Sequence, residues 1–195
     1  MDEIKSAFER AMERVDGIGG ASAEETMKWK YVPEGQKLAA RCIKDECNLT
    51  IELSKYGDKE KPFVVRGAEE VLLRNINLPT NDFARKNNKK AMEAIKALKK
   101  DKGGVENIYS KIRNIFSHYE QEGEQQRKHT YEMLKQDFQA KIQQIMRQQG
   151  IPVKGNIDIE RQPQFQEEWR RVSAQMDSQY YRLLDEYKQE IINIR

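Results

Sequence analysis

Cysteine, proline and long apolar runs are scarce in this sequence, and each scarcity excludes a class of protein. Two cysteines, Cys42 and Cys47, are too few for a disulfide framework. No stretch approaches the roughly 18 apolar residues that a membrane-spanning helix needs. The N-terminal residues are charged throughout and lack the apolar core of a secretory signal. We therefore expect a soluble cytoplasmic protein with reduced thiols and no membrane partner.

Apolar side chains are also few, at 37% of 195 residues, against 34% charged residues. A chain of this composition cannot bury a thick core along its whole length, and it suits narrow seams between amphipathic helices. The net charge of +3 creates no strong field that would indicate a nucleic acid or a membrane as the general partner.

Motifs for catalysis, cofactor binding and metal binding are missing from the sequence. No glycine-rich phosphate loop and no His-Glu-x-x-His motif occurs. Cys42 and Cys47 lack a second pair of ligands, and small buried thiols are the preferred interpretation. His118 and His129 share a helix face that we expect to point toward water. We assign no catalytic, cofactor or metal residue, and we expect a protein that is not an enzyme.

Residues 1–103 predict an N-terminal body. An apolar stripe predicts a first helix over 3–16, and the Ser22–Glu25 capping box predicts a second over 22–32, which ends before Pro33. A basic helix is predicted over 81–102.

Residues 36–79 lie between these helices and are the hardest part of the body to interpret. Leu49, Ile51 and Leu53 alternate with polar residues, and a turn-like Tyr-Gly-Asp-Lys run follows. This pattern predicts a short antiparallel β-meander. The alternative is helix over 36–45 and 68–74, which would make the protein all-α.

Residues 104–195 predict a long antiparallel helical hairpin, with helices over 105–149 and 163–194 and a tip over 150–162. In the last helix Phe165, Met176 and Tyr187 are spaced eleven residues apart. The partner helix repeats this period, so the two seams match. The predicted fold class is therefore α+β and predominantly helical, a coiled-coil-like hairpin attached to a small body.

One part of the hairpin seam is predicted to fail. Residues 120–129 contain no apolar side chain, and Gly123 lies among them. The expected register places them opposite Leu183, Leu184, Tyr187 and Ile191. A third element should then cover that stripe. The first N-terminal helix is the preferred candidate, ahead of a second subunit or a bend at Gly123.

A projecting hairpin without catalytic motifs indicates a protein-interaction module, such as an adaptor, an assembly factor or a chaperone-like binder. A protein partner of unknown identity is expected, and a homo-oligomer could form through the apolar stripe over 183–194. The candidate contact residues lie at the tip and on the last helix: Ile151, Val153, Ile157, Leu183, Tyr187 and Ile191.

The alternative function is binding to nucleic acid or to the ribosome through the lysine-rich helix over 81–102. Arg85, Lys89, Lys96 and Lys100 form one basic stripe that could contact phosphates. No aromatic residues interleave for base stacking, so an ordinary solvated face is the preferred interpretation of this stripe.

Overall fold

The computed structural model describes residues 22–45, 47–150 and 158–194, and these fold almost entirely into α-helices. None of the described helices combines the length and the apolar content that crossing a bilayer requires. The helices are α1 (Ala23–Ile43), α2 (Leu49–Leu53), α3 (Lys61–Arg74), α4 (Asp82–Leu98), α5 (Lys102–Glu120), α6 (Glu122–Gln148) and α7 (Pro163–Asn193), with a 3-10 turn at Ile159–Arg161.

The chain divides into two compact units, and helix α4 contributes to both. Of the described residues, 22–45, 47–76 and 89–100 form the first unit, and 77–88, 101–150 and 158–194 form the second. Helices α1 to α3 therefore belong to the first unit, and α5 to α7 belong to the second.

The β-meander predicted over 36–79 is wrong, because the described part of this segment is helical and contains no strand. The alternating run at 49–53 is the short helix α2. Asn48 begins it by accepting hydrogen bonds from the backbone amides of Thr50 and Ile51. Leu49 and Leu53 are buried one turn apart, whereas Ile51 is 61% exposed. A three-residue alternation fits a helix turn equally well, and the all-α alternative fits the structure.

Helix α1 also extends beyond the predicted end at residue 32, since it continues through Pro33 to Ile43. A proline inside a helix removes one backbone hydrogen bond and usually ends or kinks the helix. Pro33 lies on the exposed side of α1, where water can satisfy the carbonyl left without a donor. The opposite side, with Val32 and Leu38, is buried in the first unit. Packing of that side therefore outweighs the local cost of the proline.

Helices α1 and α3 run in the same direction, because the segment between them returns along α1. Near the end of α1, the Cys47 sulfur lies 3.7 Å from the carbonyl oxygen of Leu38. Just before α3 begins, the Tyr56 ring meets the Tyr31 ring edge-on, with centroids 6.3 Å apart. The short helix α2 lies on this return path, and its two leucines are buried.

The contact between α1 and α3 is unusually close because each helix places a glycine at it. A Cβ atom added at Gly35 would lie 2.0 Å from the carbonyl oxygen of Val64, and one added at Gly67 would lie 2.0 Å from that of Val32. Each glycine therefore faces the other helix's backbone, and only a residue without a side chain fits. Buried Ala39 and other small or aliphatic residues continue this seam: Val64, Ala68 and Leu72.

We expect Gly35→Ala to lower the free energy of unfolding by about 3 kcal/mol, because the new methyl group meets backbone that cannot rotate away. Gly103→Ala is the matched control. Its Cβ would meet only a side-chain oxygen of Asp101 at 3.5 Å, an ordinary contact. This control should change stability by less than about 1 kcal/mol. Urea unfolding measures both variants, and an equal effect of the two would contradict the close contact.

In the second unit, α7 pairs antiparallel with α5 and α6. Successive cross-helix contacts move up one helix as they move down the other, from Lys111 with Glu190, through His118 with Tyr180, to Tyr131 with Trp169. Near the far end an aromatic cluster continues the seam, with Phe138 and Tyr131 both edge-on to Phe165. This is the hairpin geometry that the matching eleven-residue periods indicate.

The first arm of the hairpin is two helices, and the prediction of one helix over 105–149 is wrong. The backbone leaves helical geometry at Gln121 (φ −100°, ψ −80°), which separates α5 from α6. The basic helix predicted over 81–102 is also shorter than expected, because α4 ends at Leu98. Gly103 and Gly104 lie in the first turn of α5. Asp101 begins that helix by accepting a 2.8 Å hydrogen bond from the Gly104 amide.

Candidate interaction surface on the helical hairpin

A groove with a volume of about 670 Å³ runs along one side of the hairpin, between α7 and the α5–α6 arm. We call the apolar side chains of its lining the floor and the polar ones the rim. The floor contains Ile115, Val172, Met176, Leu183 and Tyr187, and the rim contains Lys111, Asn114, His118, Gln126, Thr130, Gln175, Gln179 and Tyr180.

The contact residues predicted on the last helix have different environments. Leu183 is 42% exposed and lines the groove, and Tyr187 is half-buried and lines it as well. Ile191 is fully buried, so its side chain belongs to the interior of the second unit and is inaccessible to a partner. Two of the three contact residues predicted on the last helix therefore line the groove, together with Val172 and Met176 from earlier turns of α7.

The predicted register of the hairpin is wrong by about three turns. Lys111 bonds Glu190 at 2.9 Å, and its ammonium group lies over the Tyr187 ring. The stripe around 183–191 is therefore beside the apolar part of α5, where Ile108 and Ile112 are buried, and not beside residues 120–129. Leu184 and Ile191 are buried there, whereas Leu183 remains 42% exposed. The first N-terminal helix, predicted over 3–16 to cover this stripe, lies outside the described residues.

Polar side chains of α7 lie opposite residues 120–129, close to the break between α5 and α6. The Nδ1 atom of His118 lies 2.8 Å from the Tyr180 hydroxyl, and its Nε2 atom lies 2.6 Å from a Glu122 carboxylate oxygen. His118 therefore contacts α7 and lines the groove, while 52% of its side chain remains exposed to water. Gly123 is buried at this point, where an added Cβ would lie 2.8 Å from the Tyr180 hydroxyl.

A half-buried ion pair lies beside this group. Arg127 Nη1 is 3.5 Å from Asp177 Oδ1, and only 18% and 19% of the two side chains are exposed. The guanidinium also lies 4.0 Å above the centre of the Tyr119 ring and donates to the Tyr119 carbonyl oxygen. Arg127 thus joins the two helices of the first arm to α7.

Burial sets the pKa values in this cluster. Removal from water raises the pKa of the Asp177 carboxyl, and Arg127 and a hydrogen bond with Tyr119 only partly oppose that effect. Burial likewise raises the pKa of the Tyr119 and Tyr180 hydroxyls, which therefore remain protonated at neutral pH. The cluster consists of neutral hydroxyl groups around one partly buried charge pair.

The sequence interpretation did not identify Tyr119, Arg127 and Asp177 as a cluster. The sequence contains one indication of this cluster, since Asp177 lies between Trp169 and Leu184 on the side of α7 that faces the partner helix. A carboxylate at a seam position predicts a cation on the facing helix. The correct register was needed to select Arg127 from the several cations of α6.

The tip residues Ile151, Val153 and Ile157 lie outside the described residues. Among the described ones, no group of three or more His, Cys, Asp or Glu side chains is arranged to hold a metal ion.

The basic stripe predicted for nucleic acid is partly occupied by carboxylates. Arg85 bonds Asp82 at 2.6 Å and Glu120 at 2.5 Å, and these bonds raise its pKa. Lys96 is half-buried and has an interaction partner of its own. Lys89 and Lys100 are exposed. The four residues therefore do not present four equally accessible charges.

Comparison with known proteins places this chain in a family. Residues 50–193 match the model of a family of unknown function (DUF6657), which covers most of the chain. The chain belongs to this family. The match includes α3 to α7 and therefore the whole groove. No curated protein and no solved structure matches the chain.

We expect Arg127→Met to lower the free energy of unfolding by about 2 kcal/mol at neutral pH, because Asp177 loses its partner charge. The folded-state pKa of Asp177 is raised, so its ionised form costs stability above that pKa, and the cost disappears as the pH falls through it. The loss should therefore shrink between about pH 7 and about pH 4. Urea unfolding at both pH values measures it.

Lys128→Met is the control for this variant. Lys128 is the next residue on α6 and is 74% exposed, and its ion pair with Glu124 is a surface pair. Its loss should cost less than about 0.5 kcal/mol. Equal losses for Arg127→Met at the two pH values would contradict the assignment of a desolvated charge to Asp177.

Proposed function

We propose that this protein is a cytoplasmic, non-enzymatic protein-interaction module, and that the groove on its hairpin binds an amphipathic helix. The observation that carries the proposal is the apolar floor of this groove, which two paired helices leave uncovered. Leu183 is 42% exposed there, next to half-buried Val172, Met176 and Tyr187. Contiguous apolar surface with a polar border is typical of interaction sites.

The shape of the groove favours a helix as its occupant. Its apolar residues on α7 follow one another at helical spacing, from Val172 through Met176 to Leu183 and Tyr187. A helix with apolar residues at matching intervals would fill such a groove and convert the two-helix seam into a bundle. Exposed apolar area would then be removed from water on both partners.

We further propose that the occupant is the α7 helix of a second copy of this chain. Four of the rim residues are amides, among them Gln175 and Gln179, which lie before and after Met176 in the sequence. An amide both donates and accepts hydrogen bonds, so two identical amide-lined surfaces are complementary. Two identical charged surfaces would repel one another. The Lys111 ammonium at the rim is already neutralised by Glu190.

Helix α7 of a second copy fits the groove, because it carries an apolar stripe that can cover the groove floor and amides that can bond to the groove rim. Two hairpins packed about a two-fold axis would place each α7 in the groove of the other copy. The nucleic-acid alternative draws less support, because Arg85 is already bound by two carboxylates.

The proposal is tested by Met176→Glu, which places a charge on the groove floor. Wild-type protein should be a dimer in light scattering coupled to size-exclusion chromatography, with dissociation on dilution. The variant should weaken the dimer at least about tenfold, which corresponds to about 1.4 kcal/mol. Circular dichroism should show that the helix content is unchanged.

Met133→Glu is the matched control, because Met133 lies on α6, is 52% exposed and does not line the groove. It should leave the dimer intact. A wild-type monomer over about a hundredfold range of concentration would overturn the second-copy assignment. Equal weakening by the two variants would show that the groove is not the interface.

A further inference from the structure

The two cysteines of the chain lie side by side in the first unit, at the turn that ends α1. Cys42 lies in the last turn of α1, and Cys47 follows the turn, directly before the residue that caps α2. Their sulfur atoms are 2.7 Å apart. Both are free thiols and both are partly exposed, so small molecules can reach them from solvent.

The turn between the cysteines is held on several sides, so the proximity of the sulfurs is built into the fold. Asp45 adopts a left-handed backbone conformation (φ 63°), which reverses the chain within a few residues. The Lys90 ammonium bonds the Ile43 carbonyl oxygen at 3.2 Å and the Asp45 carboxylate at 2.5 Å. Helix α4 thus anchors the turn, and the Asn48 cap fixes the segment that follows it.

We propose that Cys42 and Cys47 form a redox-active dithiol, which exchanges with small disulfides such as oxidised glutathione to give a reversible intramolecular disulfide. A disulfide places its sulfurs about 2 Å apart. The two sulfurs, 2.7 Å apart, therefore need only a small movement to reach bonding distance. In a reducing compartment, disulfides of this kind are transient and serve in sensing or exchange.

The exchange proceeds in two balanced steps. The Cys47 thiolate attacks one sulfur of the small disulfide, whose sulfur–sulfur bond breaks and releases one small thiolate. Cys42 then loses its proton and attacks the Cys47 sulfur of the mixed disulfide. The second small thiol leaves, and its sulfur takes the electron pair of the broken bond. Two protein thiols are oxidised, one small disulfide is reduced, and the two protons end on the released thiols.

The environment of Cys42 suits it to the second step. Burial, followed by the neighbouring Cys47 sulfur, raises the pKa of the Cys42 thiol to about 12. Cys42 is therefore protonated at neutral pH and is a poor nucleophile toward reagents in solution. Inside the mixed disulfide its partner sulfur is adjacent, and proximity offsets the small thiolate fraction. The dithiol should consequently exchange slowly at neutral pH and faster as the pH rises.

The pair of thiols supports disulfide exchange better than zinc binding. Structural zinc needs four ligands, usually Cys and His. In the described ranges no third metal-binding side chain joins the pair. The proposal is independent of the hairpin groove, because both cysteines and their supports belong to the first unit.

To test the proposal, the full chain is equilibrated in glutathione buffers with an increasing oxidised fraction. Free thiols are then blocked with an alkylating reagent, and the intact mass of the protein is measured. In reducing buffers wild-type protein should carry two alkyl groups. In oxidising buffers it should carry none, and its mass should be two hydrogens below that of the reduced, unalkylated chain. No form with bound glutathione should accumulate between them. Cys42→Ser should instead accumulate one glutathione on Cys47, because the second step has lost its nucleophile. A non-reducing gel should show a single chain throughout.

Two results would overturn the proposal. Wild-type protein that accumulates one or two bound glutathiones without the internal bond would show that the sulfurs do not meet. A disulfide that links two chains would show that the thiols react only between molecules. Thermal unfolding of Cys42→Ser and Cys47→Ser under reducing conditions confirms that both variants are folded, so that their exchange chemistry can be compared with that of the wild type.

Discussion

Antiparallel pairing of α7 with α5 and α6 is the constraint on which the second unit depends. Two helices can bury only the sides that face one another, so the pairing covers some apolar residues completely and others by half. Beside α5, Ile112, Leu184 and Ile191 are fully buried, but Leu183 remains 42% exposed. Along α6 only Gly123 is buried, and the aromatic residues Tyr131 and Phe138 are half-buried, whereas Phe165 of α7 is fully buried. The groove is a consequence of this uneven cover.

The polar cluster at the break between α5 and α6 follows from the same pairing. Opposite the polar residues after Gln121, α7 presents Asp177 and Tyr180, and the facing residues Arg127 and His118 bond to them. A hydrogen-bonded seam here stabilises the hairpin less than aliphatic packing would, but it restricts the register, because a shifted helix would leave Arg127 and Asp177 buried without partners.

Much of this architecture was predictable from periodicity, and the errors share a cause. Helix α7 was predicted within a residue of its ends, because Pro163 suits a first helical turn and the stripe extends over many turns. Segment 49–53 was assigned to a strand because three alternating residues do not distinguish the two-residue period of a strand from the 3.6-residue period of a helix. The end predicted at Pro33 was wrong because the Gly35–Gly67 contact, which stabilises α1 beyond it, joins residues distant in sequence.

The groove on the hairpin was also predictable only in part. By itself the sequence determined that two long amphipathic helices would pair and that apolar residues near Leu183 would lie at their border, since both follow from local periodicity. Only the tertiary structure decided the register, and with it the burial of Ile191, the exposure of Leu183, the Arg127–Asp177 pair and the approach of Cys42 to Cys47. Periodicity states which side of a helix is apolar, whereas register depends on side chains that meet across the fold.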